Sequence, residues 1–194
     1  MTASTPAGTP ADSTLLHRLG GSGGAAAVLL IGWLTLSGAA PEATGPTGRC
    51  AGYLRGQVFG ARAMDLDWSG EKLACEGMSR PDGRGIRLQF AWDQGDDERL
   101  VLVVGIDGTT TSVAGLEKPA NVTFIDERSG HFYSSRGTGR CWTDIARLAP
   151  LPVSGLHRLK GRLYCTGALP ALNDRSSLTL GDLHYYGNFA LDDN

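Results

Sequence analysis

Two stretches decide the fold of this chain, and they are IRLQFAW over residues 86–92 and LVLVV over residues 100–104. In the first, apolar side chains occupy every second position, so one face of an extended strand would meet a core and the other would meet water. The second is apolar at every position, which is typical of a central strand covered on both faces. The polar stretch DQGDDE at 93–98 contains a glycine, so we expect it to form a hairpin loop between the two strands.

The period of two recurs along most of the chain after residue 50. It predicts further strands at Tyr53 to Phe59, Ala63 to Trp68, Asn121 to Asp126 and His131 to Ser135, and an inward row over residues 159–165. Only Thr143 to Leu148 is predicted as helix, a single short turn that ends before the following proline.

The last strand contains a break in its alternation. Leu178 and Leu180 share one parity, whereas Tyr185 and Phe189 share the other. Both sets reach the same core only if one extra residue is inserted between them, so Gly181-Asp182 is predicted to be a β-bulge.

Eight or nine short strands, tight turns and almost no helix predict an all-β fold, an antiparallel β-sandwich with two disulfides. A closed barrel of the lipocalin type is the alternative arrangement of the same strands.

The four cysteines form two groups of nearly equal spacing along the chain. An even number of cysteines is typical of the disulfide-bonded proteins found outside the cytoplasm, and the grouping predicts the pairs Cys50–Cys75 and Cys141–Cys165. A zinc site is disfavoured because the sequence has no short Cys-x-x-Cys pair.

The N-terminal segment indicates where the protein is located. The apolar run AAAVLLIGWLTL at 25–36 is followed by the small residues SGAA at 37–40, a pattern typical of an export signal cleaved near residue 40. The uncharged stretch 19–41 is also long enough to cross a bilayer core of about 30 Å, so an uncleaved membrane anchor is the alternative.

These observations predict three parts. Residues 1–39 are an export signal or N-terminal membrane anchor with a disordered start, 40–49 are a linker, and 50–194 are a single β-rich domain. The domain is expected to be periplasmic or secreted, or held outside the cytoplasm by the anchor.

Composition narrows the range of partners. The chain has a formal net charge of -2 at pH 7, so it has no overall basic field for nucleic acid or anionic lipid. We expect no nucleic-acid partner, no cofactor, and contact with a membrane only through the N-terminal segment.

The predicted bulge also gives a candidate binding surface. It commits the odd-numbered residues after 182 to the core and leaves His184, Tyr186 and Asn188 on the opposite face. Tyrosine outside a core is a frequent contact residue. The sequence therefore favours a non-catalytic module that binds an unknown envelope or extracellular protein, glycan or lipid.

The alternative is a small extracytoplasmic hydrolase. A hairpin over 126–131 would bring Asp126 beside His131, with Ser134 close by as a nucleophile. Asp65 and Asp67 alternate onto one strand face and would offer paired carboxylates. Polar residues at a hairpin tip and on a solvated strand face explain both groups in structural terms.

The acidic loop at 93–98, between the strands at 86–92 and 100–104, offers a candidate calcium site. Its acidic residues supply oxygen ligands suited to calcium, but they lack the register of an EF-hand, so a solvated turn is the simpler expectation. These residues are Asp93, Asp96, Asp97 and Glu98.

Overall fold

The computed structural model describes residues 50–80, 82–95, 98–109, 112–137 and 139–191. The predicted signal or anchor and the predicted linker lie outside these residues. The described chain is all-β, with one 3-10 turn at Gly70–Lys72. Over these ranges no helix is long and apolar enough to span a membrane. The strands are β1 (Tyr53–Gly60), β2 (Met64–Ser69), β3 (Leu73–Ser79), β4 (Gly85–Asp93), β5 (Arg99–Asp107), β6 (Gly115–Asp126), β7 (His131–Ser134), β8 (Cys141–Pro150), β9 (Leu156–Cys165), β10 (Leu169–Pro170), β11 (Ser177–Leu180) and β12 (Leu183–Ala190).

All strand pairings are antiparallel and belong to one sheet. Its order is β10-β11-β1-β12-β9-β8-β6-β5-β4-β3, with β2 beside β1 and β7 beside β6. The two ends of this path are not hydrogen-bonded to each other, so the lipocalin-like closed barrel is not the fold.

The sheet folds over on itself and encloses the core as a sandwich does. Trp68 on β2 lies parallel to Trp92 on β4, with ring centroids 6.1 Å apart. Phe90 on β4 meets Tyr185 and Phe189 on β12 at 5.7 and 5.5 Å. Strands from the two halves of the sheet thus face each other across one core, and the predicted β-sandwich is confirmed.

The two stretches that decide the fold form the predicted hairpin of β4 and β5. Ile86, Leu88 and Phe90 are fully buried, whereas Arg87 between them is exposed. On β5 even Val101, on the side away from the core, is only 4% exposed. The alternation of β4 is therefore confirmed at these positions, and the second face of β5 is covered at Val101 but only half-buried at Val103.

The predicted bulge at Gly181–Asp182 is confirmed by the register of β1. Val58 is opposite Leu180 and Leu54 is opposite Tyr185, so one strand advances four residues while its partner advances five. The extra residue lets Leu180 on β11 and Tyr185 on β12 both face the core, opposite Val58 and Leu54.

The predicted helical turn over Thr143 to Leu148 is wrong, because these residues lie in β8. Ile145 is opposite Gly161 and Arg147 is opposite Lys160, so Ala146 is an extra residue and forms a second bulge. The bulge lets apolar residues three apart, Ile145 and Leu148, face the same side. That spacing also occurs on one face of a helix.

The disulfides Cys50–Cys75 and Cys141–Cys165 are formed as predicted, with Cα atoms 4.9 and 4.0 Å apart. The first ties the residues before β1 to β3, and the second joins opposed positions of β8 and β9. Each closes a loop that contributes about 3.5 kcal/mol in the chain-entropy model. Two such bonds are typical of an oxidising compartment outside the cytoplasm.

Tyr185 shows how closely the core is fitted. A Cβ atom on Gly161 would lie 2.4 Å from the Tyr185 hydroxyl, so only glycine leaves room for this ring. The hydroxyl forms a 2.7 Å hydrogen bond with Thr143, which in turn donates to the Arg162 carbonyl at 2.9 Å. The buried phenol is therefore fully partnered.

Candidate functional site

The outward row of β12 lies inside a wide sheet surface, between β1 and β9. The register places Tyr53 on one side of Tyr186 and Lys160 on the other, and it places Arg158 beside Asn188. We call this surface the contact face. It consists of Tyr53, Arg147, Arg158, Lys160, His184, Tyr186 and Asn188.

The predicted row has the expected orientation. Tyr185 is fully buried, whereas His184 is exposed and Tyr186 and Asn188 are half-buried. Tyr186 is partly covered because its ring stacks on Tyr53, with centroids 5.9 Å apart and planes inclined by 24°. The row is thus outside the core but is packed against its neighbours on the sheet.

Tyr53 is itself held in place from a second side. The guanidinium of Arg55 lies 4.9 Å from the centre of the Tyr53 ring, a cation–π contact. The two stacked rings are therefore ordered before any ligand arrives, which lowers the entropy cost of binding.

Three cations form the other half of the contact face. Arg147 on β8 lies directly opposite Lys160 on β9, and Arg158 lies two residues further along β9. Arg158 donates from Nε to the Asn188 side chain at 3.3 Å. Among the described residues, no carboxylate forms an ion pair with any of the three.

The bulge at Ala146 explains why Arg147 belongs to this surface. Thr143 and Ile145 point into the core, and an unbroken strand would direct Arg147 the same way. The extra residue turns it outward, next to Lys160. Bulges often redirect a side chain at functional sites.

The predicted carboxylate pair lies on the same side of the sheet, toward its β2 edge. Asp65 and Asp67 share the exposed face of β2, as expected. Asp67 is bonded to Arg55 at 2.8 Å, and Asp65 accepts from Gln57 at 2.9 Å. Each carboxylate thus has a cross-strand partner on β1.

Arg162 marks the boundary between the acidic and basic parts of this surface. It donates to Asp182 at 2.7 Å and lies 3.8 Å from Asp144. The hydrogen bond and charge of Asp182 raise the pKa of Arg162 above its ordinary value. This arginine is neutralised by its neighbours, unlike the three cations of the contact face.

The hydrolase candidates are brought together only in part. Asp126 and His131 are directly opposed on β6 and β7, as the hairpin predicted. Ser134 is opposite Thr123 and lies on the other face of β7 from His131. The His131 Nε2 atom is instead 2.9 Å from the Asp174 carboxylate.

Asp126 is engaged elsewhere as well. Arg62, from the loop between β1 and β2, donates to both Asp126 and Glu98, and the Ser129 backbone N–H donates to Asp126 at 3.2 Å. Burial raises the pKa of Asp126, but the Ser129 and Arg62 donors outweigh it, so the pKa is lowered. The carboxylate is thus held ionised as the counterion of Arg62.

The acidic loop between β4 and β5 is described only in part, since Asp96 and Asp97 lie outside the described residues. Asp93 accepts a hydrogen bond from the Gly95 backbone at 2.9 Å, and Glu98 is bound to Arg62. Across the described ranges, no three acidic, histidine or cysteine side chains lie close enough to hold a metal ion.

Four residues of the contact face were not assigned to a site from the sequence, namely Tyr53, Arg147, Arg158 and Lys160, although Arg158 and Lys160 were predicted to face outward. Arg158 and Lys160 had a usable signal, because they alternate with the inward residues 159, 161 and 163. Arg147 had none, since its outward position depends on the bulge.

Comparison with known proteins gives no relative from which a function could be transferred. No family model matches the chain, and neither a curated protein nor a solved structure is significantly similar to it.

Proposed function

We propose that this chain is exported and that its β-rich domain is a non-catalytic binding module whose ligand lies on the contact face. Residues 1–39 direct it across the membrane, as cleaved signal or as anchor, and the domain works in the periplasm or outside the cell. The two disulfides support this location.

The observation that carries the proposal is the stacked Tyr53–Tyr186 pair beside the opposed cations Arg147 and Lys160. The fold does not need either group, because Tyr185 and its odd-numbered neighbours already fill the core. Tyrosine and arginine are the residue types that carry much of the binding energy at contact surfaces.

The environment of the catalytic candidates also supports a binding role. Asp126 is paired with Arg62, His131 is bonded to Asp174, and Ser134 accepts from Thr123 at 3.3 Å on the opposite face. A serine hydrolase needs the nucleophile within hydrogen-bond reach of its base, with the acid orienting that base.

The proposal is tested by co-sedimentation of the purified exported protein with washed envelopes of the producing cell. Tyr186→Ala is compared with Tyr164→Ala, a matched control that removes a similar stack, with Trp142 at 6.2 Å and 23°, outside the contact face. Thermal unfolding of each variant checks that it is folded. His184→Ala, at an exposed position, serves if Tyr186→Ala fails to fold.

We expect Tyr186→Ala to weaken envelope binding by about 10-fold or more, as loss of a central contact residue does. Tyr164→Ala should bind within about 2-fold of the unmodified protein. Equal binding by the Tyr186 variant and the unmodified protein would overturn the proposal, as would the lack of any envelope binding.

A further inference from the structure

The arrangement of the cations on the contact face lowers the stability of the folded protein. Arg147 and Lys160 are directly opposed on neighbouring strands, and like charges in this position destabilise a sheet. Neighbouring strands are about 4.8 Å apart, so the two side chains begin within one small patch. No described carboxylate relieves the repulsion, and a bound anion would do so.

A third cation and several hydrogen-bonding groups surround this pair. Arg158 precedes Lys160 by two residues on the same side of β9, about 7 Å away along the strand. Tyr186 and Asn188 lie beside them on β12, with a phenol hydroxyl and an amide. Arginine binds planar oxyanions with two parallel hydrogen bonds, whereas hydroxyl and amide groups suit the hydroxyls of a neutral sugar ring.

The charges around the patch limit what kind of polyanion fits. The carboxylates of Asp65, Asp67 and Asp182 lie on the same side of the sheet, toward β2 and the bulge. Arg55 and Arg162 balance two of these charges, and the remaining net negative charge opposes a uniformly negative membrane surface or a nucleic acid that extends over it. A single polysaccharide chain is narrower than a membrane surface or a duplex, so it can place its anions on the cations and run clear of the acidic part.

A protein partner fits the composition less well. The centre of a protein interface is mainly apolar and is depleted of lysine, whereas Lys160 occupies the middle of this surface. The contact face contains polar, cationic and phenolic side chains in an open sheet. These features point to a hydrated ligand that carries both hydroxyls and carboxylates.

We propose that the contact face binds an acidic glycan, with a sugar carboxylate between Arg147, Lys160 and Arg158 and the sugar hydroxyls on Tyr186 and Asn188. This inference rests on the proposed function and specifies its ligand. In this arrangement, Arg147 and Lys160 are the residues that distinguish an acidic glycan from a neutral one.

The test measures binding of the exported protein to polygalacturonate, a carboxylated polysaccharide, and to its carboxyl-reduced, neutral counterpart. The variants are Arg147→Gln and Lys160→Gln, with Arg128→Gln as a matched control in the β6–β7 turn, outside the contact face. Phosphatidylglycerol vesicles and duplex DNA are tested in parallel.

We expect binding to polygalacturonate but not to the reduced polymer, a loss of about 10-fold in each contact-face variant, and no change in Arg128→Gln. Higher salt should weaken the binding. The inference is overturned if polygalacturonate is not bound, if the reduced polymer binds equally, or if only vesicles or DNA bind in a Lys160-dependent way. Envelope binding that still depends on Tyr186 would then leave the proposed function intact.

Discussion

Replacing Arg62 by methionine tests whether Asp126 is a structural counterion or a free carboxylate. The Asp126 side chain is only 8% exposed, and Arg62 and Glu98 are 27% and 23% exposed. The substitution keeps an apolar stem of similar length but removes the cation. Asp126 would then keep the hydrogen bonds from Ser129 but would have lost its cationic partner.

The expected loss follows from these burials. A hydrogen bond between charged groups contributes about 1.5–3 kcal/mol when one partner is buried. The more exposed contact with Glu98 adds about 0.5 kcal/mol. We therefore expect Arg62→Met to lower the free energy of unfolding by about 2–3 kcal/mol, and Asp126→Asn in the same chain to restore part of it because no charge is left buried.

The assay is equilibrium urea unfolding at pH 7, with Arg99→Met as the matched control. Arg99 pairs with Glu127 at 3.0 Å, but both side chains are more than 40% exposed, so its loss should cost less than about 0.5 kcal/mol. An Arg62 variant as stable as the control would show that Asp126 is not committed to Arg62, and the hydrolase alternative would regain its acid.

Three further predictions concern ionisation and charge. The lowered pKa of Asp126 contributes stability that is present above pH about 4 and lost as the pH falls below it, so Asp126→Asn should flatten the acid limb of a stability–pH profile. Burial raises the pKa of Tyr185, so the phenol ionises at lower pH in the unfolded chain and the free energy of unfolding should fall above pH about 10. Tyr185→Phe should remove this pH dependence. It should also lower the free energy of unfolding at pH 7 by about 1 kcal/mol, because the hydrogen bond with Thr143 is lost. Lys160→Gln should raise the free energy of unfolding at low salt by about 0.4 kcal/mol, measured by urea unfolding without ligand, because it ends the repulsion from Arg147; an unchanged or lowered value would contradict that cost.

The strands could be predicted from the sequence wherever large apolar residues at every second position show which side chains face the core. The bulge at Gly181–Asp182 was visible because large apolar residues on both of its sides must reach one core. The bulge at Ala146 was hidden, because the residues around it are few and the spacing of Ile145 and Leu148 also fits a helix. The spacing of the apolar residues alone could not distinguish a bulged strand from a short helix here.

The candidate site was predictable only along single strands. The outward position of Tyr186 follows from its own strand, but its neighbours Tyr53 and Lys160 depend on pairings with β1 and β9, which are far away in the sequence. The same limit applies to the hydrolase candidates. The hairpin of Asp126 and His131 is local, whereas Arg62 and Asp174, which engage them, come from remote loops.

The chain contains three lysines, and they allow the contact face to be mapped without knowing the ligand. Lys160 lies on the contact face, whereas Lys72 in the turn after β2 and Lys118 on β6 do not. The measurement is the rate of acetylation of each lysine, by mass spectrometry, in the free protein and in protein bound to envelopes of the producing cell. We expect envelope binding to slow acetylation of Lys160 by about 10-fold while Lys72 and Lys118 react as before, since a bound ligand would cover the ammonium group. Unchanged acetylation of Lys160 in the bound protein would show that the ligand lies elsewhere.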